Sequence, residues 1–150
     1  MSLYKDYLTV RVPKLLQELT PETRATFGVL TPQRMVEHLI QVSKSTAKDY
    51  GPPAEELTPS QEGFMRFVKK GAHFQYRHKD IKTEDLPHPR MANLEEAIAL
   101  VPEAIARMYR FDRDHTFYNQ MMGTLTFEEM ELLHYKHYQH HLQRQFGLGL

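Results

Sequence analysis

The chain contains no cysteine, which excludes disulfides, thiolate metal sites and a cysteine nucleophile together. Any bound metal must therefore rest on His, Asp or Glu. Net charge is missing as well. The 150 residues carry 19 basic and 19 acidic side chains, so no global field draws nucleic acid or an anionic membrane. A small molecule or another protein is the expected partner, with no nucleic acid and no membrane. No stretch of about eighteen apolar residues occurs, and no apolar run follows a basic N-terminus. A cytoplasmic soluble protein is the expectation. One domain over 1–150 is the simplest organisation, long enough to bury about 70% of the surface its unfolded form exposes. There is no internal repeat.

No segment alternates apolar and polar residues between turn signals, so a sheet has little to stand on. Helix starts recur instead: Thr31-Pro32, Thr58-Pro59 with Gln61, Asn93 with Glu96, and Thr126 with Glu129. The pattern predicts a first helix over 2–19, kinked or split at Pro13, and a second over 32–49 with Met35, Leu39 and Val42 on one side. A long crossover over 50–92 holds a short helix around 61–70. A third helix aligns Leu94, Ile98, Val101, Ile105 and Met108, with Pro102 as a bend. The fourth starts at Thr126 and ends near Gly147. The class is all-α, and four main helices with a long crossover suggest a four-helix bundle with a small insertion.

Four of the nine histidines fall in the run His134-Tyr135-Lys136-His137-Tyr138-Gln139-His140-His141. At about 100° per residue from His134, His137 lies near −60°, His141 near −20° and His140 near −120°. Phe127, Met130 and Tyr138 share the face of the first three, so these imidazoles lie on a core-facing stripe. Histidines four apart have Cβ atoms about 6 Å apart and converge on one ion. Seven apart, His134 and His141 are separated by about 10 Å, too far to share it. His137 is thus the pivot. The pair His134/His137 stays open, but His137/His141 is favoured because the longer interval aims both rings at one point. A third ligand must come from another helix, and His38 is the sole histidine of the second helix. Three neutral imidazoles leave a coordination position for water or substrate.

Blander readings stand beside these. A solvated helix face accounts for clustered histidines, and His38 alone reads as a histidine at the rim of the core. His134 reads as a pocket residue, His140 as a surface one, and His73, His78, His88 and His115 receive no role. Phe74-Gln75-Tyr76-Arg77-His78-Lys79 mixes rings with bases, as a nucleic-acid surface does, yet a solvated crossover explains it better. Asp112 and Asp114 suit loop capping, and Glu37 points about 100° away from His38, toward the surface.

The residues also resemble a known family. Leu16-Gln17-Glu18-Leu19-Thr20-Pro21-Glu22-Thr23, Phe27-Gly28 and Thr31-Pro32-Gln33-Arg34-Met35-Val36-Glu37-His38-Leu39 resemble the opening of a bacterial family within the DinB/YfiT-like metalloenzymes. Gly123-Thr124-Leu125-Thr126, then His134-Tyr135-Lys136-His137 and His140-His141-Leu142, resemble its ending. The resemblance implies a DinB-like up-down-down-up four-helix bundle, often a homodimer. It implies zinc or nickel held by one histidine of the second helix and two of the fourth, here His38, His137 and His141. Many such sequences place Gln three residues after the last ligand. Arg144 stands there in this chain, between Gln143 and Gln145, so the group behind the last ligand stays open.

Relatives in that superfamily include metal-dependent transferases that use a low-molecular-weight thiol. A bound metal would stabilise the thiolate, and a chain without cysteine would take its sulfur from such a cosubstrate. The same triad would also suit hydrolysis. In either enzyme His134 or Tyr138 positions substrate or a proton. The alternatives are a noncatalytic metal-binding or stress-response module, and a metal-free helical interaction protein whose histidine face packs on a partner or second subunit.

Overall fold

Thr58, Asn93 and Thr126 each cap a helix with the hydrogen bonds their spacing predicts. The Thr58 hydroxyl accepts from Gln61 N at 3.2 Å while Gln61 Oε1 accepts from Thr58 N at 3.0 Å. Thr126 and Glu129 repeat the exchange at 3.2 and 3.0 Å, and Asn93 Oδ1 accepts from Glu96 N at 2.8 Å. Each such cap contributes about 1 kcal/mol to its helix. The computed structural model describes residues 2–46, 57–70, 88–119 and 121–149, and in these residues the protein is mostly helical. The run 74–79 and histidines 73 and 78 lie outside them.

The first helix, α1, is one rod in three segments: Leu3–Asp6, a wide π-helical Tyr7–Arg11, and Val12–Leu16. Proline at 13 cannot donate to the Thr9 carbonyl, and its ring crowds that oxygen. The rod widens there, so that Val12 N–H reaches Tyr7 O. The chain therefore neither splits nor stops at Pro13, and the helix ends three residues short of the expected 19.

Helix α2 spans Pro32–Thr46, α3 spans Pro59–Lys69 and α4 spans Leu94–Met108, carrying Pro102 inside. The fifth, α5, runs Phe127–Gln139 and continues as a π-helical segment, His140–Gln145. Leu148 N–H then bonds Leu142 O at 2.9 Å, with Gly147 at φ 66 making the turn.

α1 packs against α4 and α5, α2 packs against the same two, and α3 lies on α5. The α2–α4 seam is the most extensive, since Ala97 and Ala104 let Met35, Val36, Leu39 and Ile40 approach closely. α5 is polar in sequence yet covered on most sides: Glu131, His134 and Lys136 are buried along with Met130, Leu133 and Tyr138. The buried apolar side chains of the described residues join in one cluster drawn from all five helices.

One expectation is corrected. Phe117–Asn119 (β1) and Gly123–Leu125 (β2) form an antiparallel hairpin with Phe117 opposite Leu125. Strands of three residues are too short to show an alternation. Phe117 and Leu125 nonetheless point into the core, and β2 leads directly into the Thr126 cap of α5.

Candidate metal centre

α2 and α5 bring His38, His137 and His141 together. His38 Nε2 lies 3.0 Å from His137 Nε2, and His141 Nε2 lies 3.1 Å from the same atom. The three rings stand nearly perpendicular to one another, with centroids 4.7 to 5.0 Å apart. Among the described residues this is the one group of three potential metal ligands whose donor atoms gather within 4.8 Å.

Two nitrogens bound to one ion at about 2.0–2.1 Å and a tetrahedral angle would stand about 3.3 Å apart, within a few tenths of an ångström of these separations. Burial pushes the imidazoles toward neutrality. His38 is held below the ordinary histidine value by burial alone. His137 falls well below it, through burial and then the charges His141, His38, His134 and His140 would carry. His141 falls to about 3 through burial and the His38 charge, against an opposing hydrogen bond that Gln145 accepts. Neutral rings keep their lone pairs available, which a cation requires. The residues present therefore fit a divalent ion of the imidazole-preferring kind, and three histidines could hold one.

The group behind the last ligand is Gln145. Its Oε1 lies 2.6 Å from His141 Nδ1, and its Nε2 donates to Phe27 O at 3.2 Å. The neighbouring candidates are used elsewhere: Gln143 Oε1 accepts from the Tyr7 hydroxyl at 2.7 Å, and Arg144 is exposed. Gln145 stands four residues after His141, the same helical interval that sets His137 beside His141. Both residues lie in the π-helical segment His140–Gln145, and nothing in the residue types announces that winding.

His134 is fully buried, with both ring nitrogens lacking a hydrogen-bond partner among the described residues. Burial lowers its pKa to about 4. Tyr138 is fully buried too, but its hydroxyl lies 2.8 Å from Ser43 Oγ, which itself donates to Leu39 O at 2.8 Å. Ser43 has spent its proton, so Tyr138 is the donor and its hydroxyl is engaged away from the imidazoles. His140, expected at the surface, is buried. The segment preceding α2 folds back over the end of α5, setting the Phe27 ring 5.5 Å from that of His140. Glu37 is half-buried and does not ligate; its carboxylate accepts from Arg90 N at 2.6 Å and Met91 N at 3.3 Å, anchoring the chain that enters α4. His115 stacks on Phe111, while His88, Asp112 and Asp114 are exposed.

The described fold and this cluster define a helical protein with a three-imidazole centre. No protein-family model, no curated protein and no solved structure matches the chain. No helix among the described residues is long and apolar enough to cross a membrane.

Proposed function

We propose that this protein is a metal-dependent enzyme of the DinB-like four-helix-bundle kind, in which His38, His137 and His141 hold zinc or nickel. The observation that carries the reading is the convergence of three Nε2 atoms from two helices. The mutual packing of α1, α2, α4 and α5 supports the bundle, and the resemblance of the two chain ends supports the family.

The donor set narrows the chemistry. Three neutral imidazoles leave a bound dication with its full charge in a partly buried setting, and among the described residues no carboxylate joins the cluster. Such a centre favours an anion in the open position. A low-molecular-weight thiol, bound as its thiolate, meets that demand, so transfer of a thiol to a small electrophilic substrate is the preferred reaction. The ion would supply stabilisation of the thiolate and polarisation of the acceptor. His134 is the polar group left over beside the triad, and we assign it the hydrogen bond to the thiol or substrate. Tyr138 fits that part less well because its hydroxyl is bound to Ser43. Metal-assisted hydrolysis at the same triad is the second reading, favoured by the nitrogens of His134, which have no partner among the described residues and would orient water. The proposal also takes the protein to be cytoplasmic and homodimeric, with a small molecule as its partner.

Elemental mass spectrometry of untagged protein, beside His38→Ala and His137→Ala, tests it. Near-stoichiometric zinc or nickel in the wild type, lost in both variants, is the expected result. Thiol-conjugation and hydrolysis assays on the loaded protein then separate the two reactions. Wild-type protein that neither carries nor takes up either ion would move the reading to a helical interaction module.

A further inference from the structure

We propose that Gln145 is a positioning residue that fixes the His141 tautomer for metal binding and ties the metal centre to the loop at Thr26 and Phe27. The inference rests on the three-histidine reading and adds to it a residue that touches no ion.

The tautomer follows from an acceptor at one end of a chain of hydrogen bonds. The Phe27 carbonyl can only accept, so the Gln145 atom facing it at 3.2 Å must be the amide nitrogen. That orientation turns Oε1 toward His141 Nδ1 at 2.6 Å. An amide oxygen can only accept, so Nδ1 must carry the proton. A neutral imidazole with Nδ1 protonated has its lone pair on Nε2, the atom that faces His137 and shares the cluster with His38. The backbone of Phe27 thereby dictates, through one side chain, which His141 nitrogen is free to ligate. Partners of this kind orient a ligating ring and raise its basicity.

The same residue is held by its backbone. Gln145 O accepts from Thr26 N at 2.7 Å and from the Thr26 hydroxyl at 3.0 Å, and the side chain is 2 % exposed. Residue 145 is thus clamped to the loop from both ends, and Phe27 carries its ring over His140. Whatever displaces this loop must rotate the Gln145 amide, and with it remove the partner of His141. Metal occupancy and loop position are in this way coupled through one amide.

The test compares wild type, Gln145→Met and Gln145→Glu by calorimetric titration with zinc, and by the ring ¹⁵N shifts of His141 in metal-free protein. Methionine keeps the volume and removes both hydrogen bonds; glutamate keeps the acceptor for Nδ1 and removes the donor to Phe27. Gln145→Met should bind zinc about 10–100-fold more weakly, with Gln145→Glu within about threefold of wild type or tighter. Wild-type His141 should be protonated at Nδ1 and Gln145→Met should show mixed tautomers. A role in packing alone would leave the tautomer unmoved and would not be rescued by glutamate. Wild type that binds zinc while Gln145→Met binds it equally well overturns this inference and leaves the triad standing. Wild type that binds no zinc overturns the triad and this inference with it. Should Gln145→Met fail to fold, the wild-type tautomer and the glutamate variant decide, and Nε2 protonation in wild-type protein overturns the proposal.

Discussion

Tyr138 and His134, one turn apart on α5, share a helix and a depth of burial but differ in what their polar atoms meet. The Tyr138 hydroxyl has found Ser43, whose own proton is given to Leu39 O. Tyr138→Phe should therefore cost about 1 kcal/mol of stability and leave zinc uptake unchanged. Denaturation and titration of the variant check both; lost metal binding would return Tyr138 to the site. His134 has no such partner among the described residues, and its pKa sits at about 4 against about 6.5 in the unfolded chain. The unfolded state then binds the proton first as pH falls. The neutral ring's contribution is whole above about 6.5, declines through the window and is gone below about 4, a loss of about 3 kcal/mol. In metal-free protein the urea midpoint of His134→Leu should fall less steeply over that window than that of wild type; parallel curves would contradict the assignment. His38, His137 and His141 were legible in the sequence because convergence on an ion demands a fixed interval on one helix and a partner on another. His140 was not, because an angle on a helical wheel says nothing of a loop that folds back from residues 26 and 27 to cover it.

At the scale of the element, caps were the readable signal and winding was not. Thr58, Asn93 and Thr126 sit where their side chains satisfy the first free N–H groups of a helix, a strictly local relation. The two π-helical segments depend on context: one relieves Pro13, and the other ends α5. The hairpin was hidden for a different reason. Its strands are three residues each, and its geometry hangs on Gly123, at φ 80. A Cβ there would strike the Leu57 side chain and stand 2.9 Å from Gln61 Oε1. That oxygen cannot withdraw freely, since it accepts from Thr58 N in the capping box of α3. Gly123→Ala should therefore strain the turn and loosen the start of α3 together, at a cost of about 1–3 kcal/mol. Thermal denaturation measures it, and a variant as stable as wild type would show that β2 and α3 are not braced against each other.

Across the whole molecule, the candidate ion would join parts of the chain that are distant in sequence, since His38 and His137 are 99 residues apart. α5 is touched by α1, α2 and α3, so a bond between α2 and α5 closes a circuit through the centre of the described fold. Binding to the folded state alone stabilises it by mass action: free metal at about 100 times its dissociation constant contributes about 2.7 kcal/mol. At about 2–4 °C per kcal/mol for a chain of this size, the melting temperature should rise by roughly 5–11 °C. The donors scarcely exist as a set in the unfolded chain, where 99 positions separate the first from the second. His38→Ala removes one of three ligands and the only one contributed by α2, so zinc should leave its melting temperature nearly unmoved. Without metal the same variant should melt close to wild type, because the imidazole it loses is neutral and pays a burial penalty when charged. The difference between the proteins should thus appear only on loading. Equal shifts in both would mean that the ion is held by α5 alone and that α2 merely packs beside it, whereas a large deficit without metal would make His38 a structural residue first.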